Sequence, residues 1–172
     1  MADNTYVKIA TAAAPSGSVS NLTFSAIPST YTDLMLIGSV RTTTAFQGDD
    51  IFVQFNSNAS NYFQRRFYMI TAAQGSDANN PTGNSLSDAL GANAPALMFS
   101  NINFYVGNYA STTVPKTTAS YSFGPNTNAT RCDCIFKTGY WNDNSAITSI
   151  AFTSTSNIAQ YSTITLYGIK NS

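Results

Sequence analysis

Apolar and polar positions alternate with a period of two along much of this chain. Val7 and Ile9 share one side of residues 6–10, and Leu22 and Phe24 one side of 19–25. Ile51, Val53 and Phe55 do the same in 49–56, and Ile102, Phe104 and Val106 in 100–106. Such alternation predicts half-buried strands. Residues 32–41, reading TDLMLIGSVR, break it with a continuous apolar run from Leu34 to Ile37. The run predicts a strand covered on both faces and central to the fold. Pro28 before it and the Gly and Thr after it disfavour a helix. Burying Leu34, Leu36 and Val40 contributes roughly 1.5–3 kcal/mol each.

Residues 62–71 also carry apolar side chains on both faces. Phe63, Phe67 and Met69 alternate with Tyr62, Tyr68 and Ile70, and one arginine is set into each face, Arg65 and Arg66. One face is expected on the core and the other against a partner or a covering loop. Arg65, Arg66 and Tyr68 are therefore candidate interface residues, since arginine and tyrosine are common anchors of protein contacts.

Further strands are expected at 117–123, 131–141, 146–152 and 161–169. Gly107-Asn108, Gly124-Pro125-Asn126, Asn142-Asp143-Asn144 and residues 154–157 are the turn signals between them. Residues 72–98, rich in Ala, Asn, Gly and Ser, show no β period and predict one long loop. A short helical turn is expected inside it, with Ser85 as cap, Asp88 at the capping-box position and Gly91 as stop. The segment is also a candidate arm that reaches a neighbour and orders on assembly. About ten short strands with almost no helical period predict an all-β protein, an antiparallel β-sandwich of jelly-roll-like type. Uneven loops favour it over an up-and-down barrel. A single domain over 1–172 is expected.

Charged residues make up only 9% of the 172 residues, against about 25% in ordinary soluble domains. The polar surface is instead Ser, Thr, Asn and Gln. Net charge is zero and no basic block exists to neutralise phosphates, so a nucleic-acid partner is not expected. A neutral chain also associates readily. No apolar stretch is long enough for a transmembrane helix, and the opening MADNTYVKIATAAAPSG lacks the features of a secretory leader. Synthesis in a reducing cytoplasm is expected, with Cys132 and Cys134 as free thiols, because residues two apart on a strand resist bridging.

The chain has no His, and all eight acids are Asp. Ser-His and Cys-His catalysis are thereby excluded. Ser-Lys and paired-Asp chemistry stay formally open. Asp49-Asp50 is the one adjacent acid pair; strand neighbours point to opposite faces, so the two are expected as solvated residues beside a Gly48 turn. No cofactor or metal set is predicted, and the expectation is a non-enzymatic protein. The remaining candidate site is Tyr140-Trp141-Asn142-Asp143, which places aromatic planes beside carboxamide and carboxylate groups, the chemistry that binds glycans.

Three blocks carry a resemblance: SAIPSTYTDL (25–34), FNSNASNY (55–62) and YSTITLYGIK (161–170). They resemble small β-rich virion proteins of tailed bacteriophages. The likeness runs nearly end to end and is vaguest over 72–98. It implies a structural component of the particle located in the virion, either a capsid decoration (cement) protein or a fibre or tail accessory. Such proteins are commonly trimeric, so homo-oligomers and contacts with other virion proteins, such as the major capsid protein, are expected. No catalytic residue is carried over. The alternative is a host-glycan or receptor-binding module of the particle.

Overall fold

A computed structural model of the chain describes residues 5–70, 73–79, 84–125 and 132–170. The described residues form twelve strands: β1 (Tyr6–Ala13), β2 (Val19–Phe24), β3 (Asp33–Val40), β4 (Gly48–Phe55), β5 (Tyr62–Ile70), β6 (Ala73–Asn79), β7 (Asn84–Leu90), β8 (Ser100–Val106), β9 (Lys116–Pro125), β10 (Cys132–Trp141), β11 (Ile150–Ile158) and β12 (Thr163–Ile169). Eight make one sheet, in the order β1-β12-β3-β8-β9-β10-β5-β6, and four make the other, β2-β11-β4-β7. Every named pairing is antiparallel. The fold is thus an all-β sandwich. The strands divide eight against four between its two sheets.

The alternating positions do what their period demands. Leu34, Leu36 and Val40 of β3, Ile51, Val53 and Phe55 of β4, and Ile102, Phe104 and Val106 of β8 all lie in the common core. Phe24 meets Phe152 edge-on across the small sheet. Gly38 continues the inward row of β3, where a Cβ would stand 2.7 Å from the Thr163 carbonyl oxygen and 2.9 Å from Ile164 Cγ1. Only glycine lets β12 pack this closely.

Several expectations are corrected. Residues 72–98 are not one long loop: β6 forms an edge of the large sheet and β7 an edge of the small one. Nor is there a helical turn at 85–91, since Asn84–Leu90 pairs with β4 from Gly48 to Val53. The small polar side chains of this segment give little strand signal, and a paired neighbour supplies the backbone partners that decide its conformation. A segment built into both sheets is also not a free arm. Residues 80–83 and 126–131 lie outside the described residues. The strand expected at 146–152 runs instead from Ile150 to Ile158 and absorbs the turn expected at 154–157.

Asp49 and Asp50 do not flank a turn; both lie on β4. Asp49 is buried and accepts hydrogen bonds from the Thr155 and Ser156 hydroxyls. Asp50 reaches across the sandwich, where its carboxylate oxygen stands 3.4 Å from Lys137 Nζ. Lastly, β3 is covered on one face only: Ile37 is 45% exposed.

Candidate functional site

The outward face of the large sheet is where the apolar pattern exceeds the needs of the core. β3, β8, β9, β10 and β5 are consecutive in the sheet, and their register aligns side chains into rungs. One rung runs Ile37, Asn103, Tyr121, Phe136, Phe67. The next runs Met35, Tyr105, Ala119, Thr138, Arg65. Alternation on each strand puts its core residues on one side, so these must point to the other. Phe67 and Met69 are each 54% exposed and Phe136 48%. Tyr121, Phe123 and Phe136 contact one another, with Phe123 and Phe136 edge-on at 5.8 Å.

At the middle of this face the small side chain of Ala119 makes a depression. Met35, Tyr105, Tyr121, Phe136 and Phe67 wall a groove of about 380 Å³ around it. The Tyr105 wall is fixed. Its hydroxyl hydrogen-bonds the Asp33 carboxylate, which also accepts the Asn108 amide at 2.8 Å. Burial, and then that carboxylate, push the Tyr105 hydroxyl up to about 12. A second depression of about 440 Å³ adjoins the first at Phe67 and Phe136 and runs past Met69 and Cys134. Cys134 is half-buried there; the Cys132 side chain lies outside the described residues.

Six outward residues, Ile37, Phe67, Met69, Tyr121, Phe136 and Tyr140, are between 39% and 54% exposed. At roughly 200 Å² per side chain they leave about 500–600 Å² of apolar surface in water. That is at the upper end of what monomers normally show, about 300–600 Å². Arg65 is the exposed charge among the outward residues of these five strands.

The candidate residues from the sequence are split by this geometry. Arg65 stands on the apolar face beside Phe67. Arg66 and Tyr68 point to the opposite face, where the guanidinium lies 4.8 Å from the Tyr68 ring centre. The three do not form one surface. Tyr140 and Trp141 are likewise on opposite faces of β10. Tyr140 stacks outward on Phe63 at 4.9 Å. Trp141 is 1% exposed, stacked on Tyr62 and edge-on to Phe55, so its ring offers no face to a sugar. Asp143 accepts the Ser145 amide at 2.8 Å and closes a turn. That hydrogen bond holds its carboxyl below the usual range. Asn142 is exposed at the same turn.

The buried polar groups have structural work. Lys116 Nζ donates to the carbonyls of Val114 at 2.7 Å, Asn144 at 3.2 Å and Asp143 at 3.5 Å. Burial lowers its pKa, opposed by the nearby Asp143 charge. This ammonium ties the start of β9 to the turn after β10. Lys137 faces Ser120 across the β9–β10 pair, the arrangement a Ser-Lys dyad would need. Both are buried, and Lys137 Nζ stands 3.4 Å from an Asp50 carboxylate oxygen.

The fold and this face define a class: an all-β sandwich with a largely apolar outer face across β3, β8, β9, β10 and β5. Comparison with family models, with curated proteins and with solved structures gives no match in any of the three.

Proposed function

We propose that this chain is a non-enzymatic structural protein that works through protein–protein contacts made by the outer face of the large sheet, as a component of a tailed-bacteriophage particle. Capsid decoration (cement) is the first role and a fibre or tail accessory the second. The reading rests on one observation above all, the continuous apolar face across β3, β8, β9, β10 and β5. A standard contact removes about 800 Å² from each partner, and this face supplies the greater part of that from apolar side chains alone. The particle setting is supported by the three sequence blocks at 25–34, 55–62 and 161–170.

The test is an electron cryo-microscopy map of the particle that carries this protein. The proposal expects density for the sandwich at a repeating position, with Phe67 and Phe136 against a neighbouring chain. A particle without the protein, or one in which that face stays in solvent, overturns it.

A further inference from the structure

At the C-terminal end of β3 the chain builds a rigid apolar prong. Two segments, 41–47 and 90–98, are joined by backbone hydrogen bonds: Thr42 N–H to Leu90 O at 2.8 Å, Gly91 N–H to Gln47 O at 2.8 Å and Ala92 N–H to Thr44 O at 2.7 Å. Gly91 is required, because a Cβ there would stand 2.2 Å from the Phe46 carbonyl oxygen. Arg41 then locks the second segment. Its guanidinium donates to four carbonyls, of Pro95 at 2.7 Å, Met98 at 2.9 Å, Ala94 at 3.0 Å and Ala92 at 3.2 Å. The planar fork of arginine suits this many acceptors.

What this frame holds out is apolar. Leu97 is 84% exposed and Phe46 73%. Leu97 also has φ +61°, a left-handed conformation that a leucine avoids. Non-glycine residues kept in such states cluster at sites of function.

We propose that the Phe46–Leu97 prong of one copy docks into the Ala119 groove of a second copy, and this rests on the assembly reading above. Three observations favour a second copy. The groove of about 380 Å³ is walled by Met35, Phe67, Tyr105, Tyr121 and Phe136, so it suits bulky apolar side chains. The Arg41 guanidinium of the prong is spent on carbonyls and Lys137 beneath the groove is paired with Asp50, so docking buries no unpaired ion. And the chain is neutral, so copies meet without repulsion. The apolar area of the face approaches what a stable contact between copies needs. Prong and groove are different patches, so the contact is head-to-tail and generates a ring or a filament.

The test uses the full chain and two surface variants, F46S/L97S without the prong and A119R with the groove blocked. Masses are measured by light scattering across a concentration series, with near-ultraviolet circular dichroism confirming that each variant folds. The wild type is expected as a multimer and each variant alone as a monomer. A 1:1 mixture is expected to give a heterodimer and nothing larger, because one intact prong meets one intact groove. L97G, which keeps the frame and relieves the backbone, is expected to weaken assembly at least tenfold. If F46S/L97S assembles like the wild type while A119R does not, the faces pair with themselves; the prong is overturned and the assembly reading stands. A wild type that stays monomeric in solution yet occupies a repeating position in the particle also overturns the prong alone. Absence from the particle overturns the assembly reading itself.

Discussion

Tyr140 and Trp141 are neighbours in the chain and lie on opposite faces of β10: one stacks outward on Phe63 at 4.9 Å, the other inward on Tyr62 at 6.2 Å. The two aromatic residues therefore do different things. Trp141→Ala removes a large, fully buried ring and is expected to cost about 3–5 kcal/mol of stability. Tyr140→Ala is expected to stay within about 1 kcal/mol of the parent. Urea titration of both variants checks this. A glycan array probed with the Tyr140→Ala variant and its parent tests the sugar-binding alternative: specific binding lost in the variant would support it.

Alkaline pH should destabilise the protein through Tyr62. Burial pushes its hydroxyl up to about 12 from 10.0, opposed by the hydrogen bond from the Phe55 amide and assisted by Asp143. The phenol stays protonated in the fold while an unfolded tyrosine loses its proton near 10. Above that pH the unfolded state binds fewer protons, so stability is complete below pH 10 and falls as pH rises toward 12. The full loss is roughly 2–3 kcal/mol. Tyr105, also raised to about 12, acts in the same direction. Denaturant midpoints measured from about pH 8 to 12 give the slope. In Tyr62→Phe that slope should flatten, and the Phe55 amide loses the acceptor it reaches at 2.8 Å.

Arg41→Lys should loosen the prong without unfolding the sandwich. A lysine presents a point charge to four carbonyls that the guanidinium serves as a fork. Global stability is expected to fall by about 1–2 kcal/mol. Amide exchange at Gly91 and Ala92 should accelerate by at least tenfold while the amides of β3 and β12 keep their protection. Equal acceleration everywhere would mean that Arg41 holds the whole core.

Leu97→Gly separates stability from assembly. Glycine accepts φ +61° without the steric cost that leucine bears, so the melting temperature should stay level or rise. The entropy of the unfolded glycine limits the gain to about 1 kcal/mol. A variant as stable as its parent that assembles less well marks Leu97 as a contact residue. A drop in melting temperature would mean that the leucine supports its own loop.

Deleting 73–90 should abolish folding. β7 pairs with β4 along its length and β6 pairs with β5 from Gln64 to Ile70. Circular dichroism of the truncated chain decides between this and a dispensable arm.

The core was legible because a strand with one buried face must alternate: Leu34, Leu36, Ile51, Val53, Phe55, Ile102 and Phe104 all sit where a period of two sends them. The pattern also carried the outer face in the second apolar row of 62–71, whereas Ile37 was expected under cover and stands 45% exposed. What stayed hidden depends on partners distant in sequence. Asn84–Leu90 becomes a strand through β4. Asp49 is buried because Thr155 and Ser156 meet its carboxylate. The prong has no local motif, since its frame is one arginine reaching carbonyls more than fifty residues away. Trp141 stayed open between core and sugar platform because a strand-end tryptophan before Asn and Asp looks the same whether the register turns it out or in; here it turns in.

The most direct test of the central claim is the mass of the full chain in solution beside that of a Phe67→Ser/Phe136→Ser variant. The account predicts a multimer for the parent and, for the variant, a folded single chain with an unchanged near-ultraviolet spectrum. A variant that assembles as fully as its parent would show that the outer face of the large sheet is not the contact surface.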